Sequence, residues 1–279
     1  MPPPRLIHLT DLRAQDIHTI WHLARQAPTA STPAATPRGP VAWSFEGPGI
    51  RTRTSFLQAF AQLGLGWIEL PGLLKTEERV SDLASYLDPF YSLYVVRESD
   101  HARLGAFAEA SARPVINAMS SQGHPCEVLT DAFSIECLIG PLPALRIGLW
   151  GPMTNVLRSW HELAQVLGLR LHHFGPPEHR GAPSAAVQGH DSADTAVDLL
   201  ITDGWPVGFD DPAWSVTPRH LAALGQPRLL PTPPFRIGRE WACDPVRQPG
   251  FLGHAQKHDL LPVQRALVAH LLEQAGGPP

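Results

Sequence analysis

The sequence predicts an α/β protein of two Rossmann-like domains, each built on a parallel sheet, with a cleft between them and a C-terminal helix returning to the first domain. Three observations carry that expectation. Short apolar runs alternate with helical patterns along the chain, which implies parallel strands joined by crossovers. The alternation comes in two series, on either side of a long helical stretch near residues 125–139. The 279 residues, 43% of them hydrophobic, suffice for two such domains with real cores. The expected domains are residues 1–138, completed by 260–276, and residues 139–259.

The elements follow in order. From Leu6 to Gln26, apolar residues Leu12, Ile17, Ile20, Trp21, Leu23 and Ala24 recur at helical spacing, with Asp11 as the N-cap. Residues 27–40, rich in Pro, Ala, Thr and Ser, read as a mobile connection. Strands are expected at Val41 to Phe45, Gly66 to Leu70, Ser92 to Val96 and Pro114 to Asn117. Helices are expected at Thr54 to Leu63, Val80 to Leu87, His101 to Ala112 and Pro125 to Ile139. The second series has strands at Arg146 to Trp150, Leu169 to Phe174, Val197 to Thr202 and Leu229-Leu230, the last running into Pro231-Thr232-Pro233-Pro234. Its helices are Asn155 to Leu167, a capped one at Thr217 to Leu224, and the final one at Leu260 to Gln274.

Composition excludes several classes. Charged residues make up 17% of the chain, below the usual ~25%, and the net charge is −4. There is no basic tract, so neither a nucleic acid nor an anionic membrane is expected as a partner. No apolar run approaches the ~20 residues of a membrane span. The N-terminus lacks a secretory pattern, and the three cysteines, Cys126, Cys137 and Cys243, lack metal spacing. Reduced thiols in a cytoplasmic protein are therefore expected. Among the 14 histidines, His172-His173 and His254 with His258 are the close pairs. The second pair has helical metal spacing but no third ligand nearby, so it reads as solvated surface, and no metal is expected. A P-loop is excluded because no G-x-x-x-x-G-K-[ST] occurs.

Ligands of open parallel sheets bind at the carboxyl ends of the strands. Arg51, Arg97, His124, Asn155, Asp203 and Thr232 all lie just after a predicted strand. The stretch from Phe45 to Phe56, F-E-G-P-G-I-R-T-R-T-S-F, gathers cations and hydroxyls at a helix start, where the dipole favours a phosphate. Arg51 can grip a phosphate at two points and Thr52 adds a donor. The other reading is an arginine-rich helix start that makes surface ion pairs. Arg97 either faces the cleft or pairs with Glu98 or Asp100. His124, before Pro125 at a helix start, either donates to a carbonyl oxygen as a neutral imidazole or caps its own helix. Glu127 either accepts from an amine or satisfies the helix dipole.

The order R-T-R-T-S-F, an arginine at a strand end, then H-P-C-E-x-L-x-D resembles the aspartate/ornithine carbamoyltransferase family, the ornithine branch more closely. The likeness covers nearly the whole chain. Leu6-Ile7-His8-Leu9-Thr10-Asp11-Leu12 resembles the family's opening segment, and Pro114-Val115-Ile116-Asn117 its run into H-P-C-Q. Gly151-Pro152-Met153-Thr154-Asn155-Val156 resembles G-D-x-N-N-V, Thr202-Asp203-Gly204-Trp205 resembles T-D-V-W, and Gln264-Arg265-Ala266-Leu267 resembles the last helix.

The resemblance implies transfer of a carbamoyl group from carbamoyl phosphate to an amine, with no metal or cofactor. It places Gly49, Ile50, Arg51, Thr52, Arg97, His124 and the Pro233 carbonyl around carbamoyl phosphate. Arg51, His124 and Glu127 are the catalytic candidates. Asn155, Asp203, Val207 and Thr232 face an amino-acid acceptor. The resemblance also implies a homotrimer in which a loop, here around Pro71 to Arg79, reaches a neighbouring site. Lys75 in it reads as a solvated lysine, with the neighbouring site as its other reading.

The departures are specific. Gly49-Ile50 stands where the family has Ser-Thr, and a lost charged hydrogen bond is worth roughly 1.5–3 kcal/mol. Glu127 replaces a glutamine. Thr232 replaces the ornithine-branch cysteine, and Leu260 aligns near its late arginine, with Lys257 the nearest cation. Pro206-Val207-Gly208 is a shortened S-M-G segment. Two readings follow: a carbamoyltransferase for an ornithine-like or other amino acid, or a catalytically weakened paralogue that binds ligand and serves as a partner. Arg51, Thr52, Arg97 and His124 favour the first, and the losses favour the second.

Overall fold

The computed structural model describes residues 3–26, 39–182 and 184–276. Of the connection expected at residues 27–40, only the last two lie among them. The chain divides into two compact units, Met1–Phe133 with Asp259–Pro279, and Ser134–His258.

The first unit runs β1 (Arg5–Leu6), α1 (Ala14–Arg25), β2 (Val41–Phe45), α2 (Ile50–Gln62), β3 (Trp67–Glu69), α3 (Val80–Leu87), β4 (Leu93–Arg97), α4 (His101–Ala110), β5 (Val115–Met119) and α5 (Pro125–Leu138), with the division falling inside α5. The strands form one parallel sheet in the order β1-β5-β4-β2-β3. The central strands are buried almost throughout, as a sheet covered by helices on both faces requires. Phe45 pairs with Arg97 and Arg97 with Met119, so β2, β4 and β5 end at one level.

Two helix starts differ from expectation. The first helix begins at Ala14, with Arg13 rather than Asp11 at its N-cap position. Leu6 pairs with Ile116, and the Asp11 carboxylate accepts the amides of Ile7 and His8, at 2.8 and 2.9 Å. Asp11 thus caps a short 3-10 turn, while Asp16 reaches back to the Arg13 amide, at 3.0 Å, to cap α1. The second helix begins at Ile50, four residues before Thr54, because Gly49 takes a left-handed conformation (φ 39°, ψ 39°) that turns the chain directly into α2. Arg51 and Thr52 therefore sit in the first helical turn.

The second unit holds β6 (Ile147–Trp150), α6 (Asn155–Leu167), β7 (Leu171–Phe174), β8 (Val187–His190), β9 (Leu199–Thr202), α7 (Pro218–Ala223), β10 (Arg228–Pro231) and α8 (Gly253–Gln256). They build a parallel sheet in the order β10-β9-β6-β7-β8. Strand β8 was not expected: V-Q-G-H has no apolar run, and it exists as an edge strand through its register with β7. The last helix, α9 (Leu260–Ala275), belongs to the first unit and packs on α1 and α2. Arg265 fastens it, donating to the Gln26 carbonyl at 2.8 Å and to Gln62 at 3.1 Å. No helix among the described residues is long and apolar enough to cross a membrane.

Candidate active site

An aromatic platform orients the start of α2. Trp43 and Phe45, two apart on β2, share a face and stack at 4.5 Å. Phe56 and Phe60, one turn apart on α2, pack against Trp43 at 5.9 and 5.8 Å. Arg53 lies over the Phe45 ring and donates to Glu69 at 2.8 Å, which ties it to the edge strand. Ser55 back-bonds to the Arg51 carbonyl at 3.0 Å. Thr52 is buried, whereas Ile50 is 72% exposed.

Arg97 lies over the same Phe45 ring, with its Nη1 against Gly49. A Cβ at position 49 would run into the Phe45 ring and come within 2.8 Å of that Nη1. The glycine is thus a consequence of where Arg97 sits, as well as of its own positive φ. Burial pushes the Arg97 guanidinium below its ordinary value; Glu46 opposes this and Arg51 adds to it. Arg51 and Arg97 thus come at the carboxyl ends of neighbouring strands, β2 and β4. Arg97 takes neither carboxylate partner considered for it: Glu98 bonds to Lys75, and Asp100 caps α4 through the Arg103 amide at 2.9 Å.

The strand ends are stitched together. The Glu46 amide donates to the Arg97 carbonyl at 3.0 Å, the Glu98 amide to Met119 at 3.1 Å, and the Ser99 amide to the Glu46 carboxylate at 2.7 Å. Lys75 completes this lattice by bonding Glu98 and lying 3.4 Å from Glu46. Arg103 fastens the same loop, donating to the carbonyls of Leu74, Thr76 and Glu78 at 2.7–2.8 Å. Lys75, still half-exposed, is thus more than a solvated lysine: it ties its loop to two strand ends. No sequence motif marks this contact, because it depends on two strand ends lying side by side.

His124 opens α5, its carbonyl accepting the Val128 amide at 3.2 Å, and both His124 and Glu127 are buried. Between them, Cys126 donates its thiol to the Asn117 carbonyl at 3.4 Å. Burial first, and the neighbouring Glu127 second, push that thiol up, which leaves it a packing group rather than a nucleophile. Asn117 ties the end of β5 to β1 through the Ile7 carbonyl at 3.0 Å. Arg51, Thr52, Arg97, His124 and Glu127 thus all follow β2, β4 or β5 at one edge of one sheet.

In the second unit, Asn155, Asp203 and Thr232 follow β6, β9 and β10, which are also adjacent. Asn155 begins α6 behind the N-cap Thr154, and its Oδ1 accepts the Val156 amide at 2.9 Å. The turn before it is held from behind: His173 Nε2 donates to the Gly151 carbonyl at 2.9 Å, and the Met153 amide to His179 at 2.6 Å. Because a carbonyl only accepts, His173 Nδ1 is the acceptor of the His161 Nε2 proton, at 3.0 Å. The Thr232 amide bonds the Thr202 carbonyl at 2.8 Å, and its hydroxyl is buried with no hydrogen-bond partner among the described residues. Pro233 precedes a cis bond to Pro234, and Val207 stands fully exposed between Pro206 and Gly208. Sequence reasoning missed Arg239 and Glu240, whose side chains grip the loops bearing Asp203, Val207 and Thr232. Among the described residues no group of three or more metal-capable side chains occurs, and His254 and His258 are exposed.

Residues 5–137 match the family profile described as the aspartate/ornithine carbamoyltransferase, carbamoyl-P binding domain. An ornithine carbamoyltransferase of Rhizobium johnstonii is 30% identical over 226 residues, covering 74% of each chain. One of Nitrosomonas europaea is 28% identical over 257 residues, covering 83% of each. The fold matches the solved ornithine carbamoyltransferase of Thermus thermophilus with a TM-score of 0.86 at 24% identity, over 98% of this chain and 100% of that one. That of Burkholderia thailandensis gives 0.85 at 24% identity, over 96% and 98%. The chain belongs to the aspartate/ornithine carbamoyltransferase family. It stands with the ornithine branch of that family, as an enzyme of the carbamoyltransferase class.

Proposed function

We propose that the protein transfers the carbamoyl group of carbamoyl phosphate to the primary amine of an ornithine-like amino acid. The observation that carries this reading is that Arg51, in the first turn of α2 after β2, and Arg97, which ends the neighbouring β4 with its Nη1 against the side-chain-free Gly49, come at the carboxyl ends of adjacent strands. Two guanidiniums and the opening amides of α2 suit a phosphate dianion. In this reading Gly49 and Ile50 contribute backbone amides, Thr52 contributes its hydroxyl, and the Pro233 carbonyl accepts from the carbamoyl NH2. Arg51 and His124 donate to the carbamoyl oxygen, where charge develops in the transition state. The neutral amine attacks the carbamoyl carbon, and the carbon–oxygen bond to phosphate breaks with phosphate keeping the electron pair. The amine gives up a proton, which Glu127 accepts in this reading, and a ureido product remains. Asn155, Asp203, Val207 and Thr232 recognise the acceptor, with Asp203 and Asn155 suited to its amino and carboxylate groups.

The test is phosphate release from carbamoyl phosphate with L-ornithine and with a panel of amino acids, for the wild type and Arg51→Ala. Amine-dependent release that disappears in Arg51→Ala is expected. Release unchanged in that variant would sink the site assignment. No release with any amine, together with tight binding of carbamoyl phosphate, would leave a ligand-binding partner instead.

The same reading includes a homotrimer in the cytoplasm. Trp67 and Ile68, on the edge strand β3, are 43% and 48% exposed, an apolar edge that a neighbouring subunit would cover. The three free cysteines fit a reducing compartment. Light scattering should give three times the 30.4 kDa of the chain, and a monomeric mass would remove the trimer from the proposal.

A further inference from the structure

Past β9 and β10 the chain leaves regular structure, and the loops that follow must satisfy their amides some other way. Glu240 does this for both. Its carboxyl is 3% exposed, and each oxygen takes one amide: Oε1 from Trp205 and Oε2 from Arg236, both at 2.9 Å. One rigid side chain thereby sets the separation between the Asp203–Trp205 segment and the Thr232–Arg236 segment. Arg239 acts on the turn between Trp205 and Phe209. Its Nη2 donates to the carbonyls of Pro206 and Phe209, at 3.3 and 3.0 Å, which closes the turn with Val207 at its tip. The guanidinium also lies 6.0 Å over the Trp205 ring, which meets Phe209 edge-on at 5.0 Å.

The clamp is itself seated. Trp241 Nε1 donates to the Thr202 hydroxyl at 3.1 Å, and the Val216 amide to the Glu240 carbonyl at 2.9 Å. A buried carboxylate is costly, and its desolvation is offset here by two charge-assisted bonds and an arginine 4.0 Å away. An apolar residue of similar size could fill the space but could not hold two amides in register.

We propose that Arg239 and Glu240 are positioning residues for acceptor recognition, acting through Asp203, Val207 and Thr232 without touching the acceptor. The proposal rests on the assignment of those three residues to the acceptor. Glu240→Gln is a sharp probe: one of its two positions becomes an NH2 group facing an amide N–H, so one loop is released while volume is kept.

The experiment combines steady-state kinetics with hydrogen exchange on Glu240→Gln, Arg239→Met and Arg239→Lys. With L-ornithine as the amine, Glu240→Gln should raise its KM roughly 10-fold and the carbamoyl phosphate KM by clearly less, roughly 2- to 3-fold, through the Pro233 carbonyl on the same released segment. Arg239→Met should raise it by roughly 3-fold, and Arg239→Lys should restore most of that. Exchange should quicken at residues 203–209 and 232–236 in Glu240→Gln, and at 205–209 alone in Arg239→Met. Equal changes in both KM values, no change in either, or faster exchange across the whole second unit would overturn the proposal. A wild type inert with every amine overturns the transfer reading instead, and localised exchange still decides whether the clamp exists.

Discussion

The carboxyl edge of the first sheet presents its candidate residues from regular structure. Arg51 and Thr52 ride the first turn of α2, Arg97 ends β4, and His124 and Glu127 open α5. The corresponding edge of the second sheet presents Asn155 from a helix start, but Asp203, Val207 and Thr232 from loops fastened by side chains. Under the proposed function the difference separates two tasks. Holding a phosphate needs fixed cations and helix amides, which the fold supplies in one arrangement. Selecting an acceptor needs a surface that can be rebuilt, and loops tied by Arg239 and Glu240 allow that without disturbing a strand. The shortened Pro206-Val207-Gly208 turn and Thr232 accordingly lie among loops, whereas the departures in the first unit, Gly49-Ile50, Glu127 and Leu260, lie at helix starts.

The largest expected effect falls on the rigid half. Arg51→Ala should lower kcat/KM by roughly 100- to 1,000-fold, because a charge-stabilising donor is lost where charge develops. Arg97→Ala should raise the carbamoyl phosphate KM and leave the acceptor KM nearly unchanged. If Arg97→Ala raised only the acceptor KM, the division of tasks between the two edges would be wrong.

Acid should weaken the second unit through the histidines behind the Asn155 turn. Burial lowers His161 from 6.5 to about 4 and His173 to about 3, and each neighbouring imidazole or arginine adds to the lowering. A folded-state pKa below the unfolded one means that the unfolded chain takes up protons first. The stability at stake is intact above pH 6.5 and is lost as pH falls toward 4. His161 alone should contribute a loss of about 2 kcal/mol between pH 7 and pH 5. Urea unfolding at the two values checks this, and His161→Phe should flatten the difference. An equal slope in that variant would assign the acid sensitivity elsewhere.

Much of this was legible in the sequence because it is local. Val41–Phe45, Val80–Leu87 and Asn155–Leu167 stand where periodicity and caps place them. The candidate residues at the carboxyl edges were readable from order alone, since parallel strands put every following loop on the same side. What escaped is long-range. Strand β8 depends on its partner β7, and Asp11 caps a turn that exists only because Leu6 joins the sheet. Lys75 with Glu98, and Glu240 with the Trp205 amide, join residues 23 and 35 positions apart, and no spacing rule reaches that far.

The smallest effects come from returning residues 49 and 50 to the family's Ser-Thr, and the two substitutions should act in opposite directions. Gly49→Ser places a side chain where Arg97 and Phe45 now sit, at a left-handed φ of 39°. It should cost about 1–3 kcal/mol of stability and raise the carbamoyl phosphate KM, because Arg97 has to move. Ile50→Thr removes an apolar side chain that is 72% exposed and adds a hydroxyl to the first turn of α2. It should lower that KM by roughly 2- to 5-fold, a modest gain because at so exposed a position a hydroxyl competes with water. Thermal melting and KM measurements on both variants separate the outcomes. A gain from Gly49→Ser would mean that Arg97 is not committed to the Gly49 face, and a raised KM in Ile50→Thr would mean that the phosphate does not sit at the start of α2.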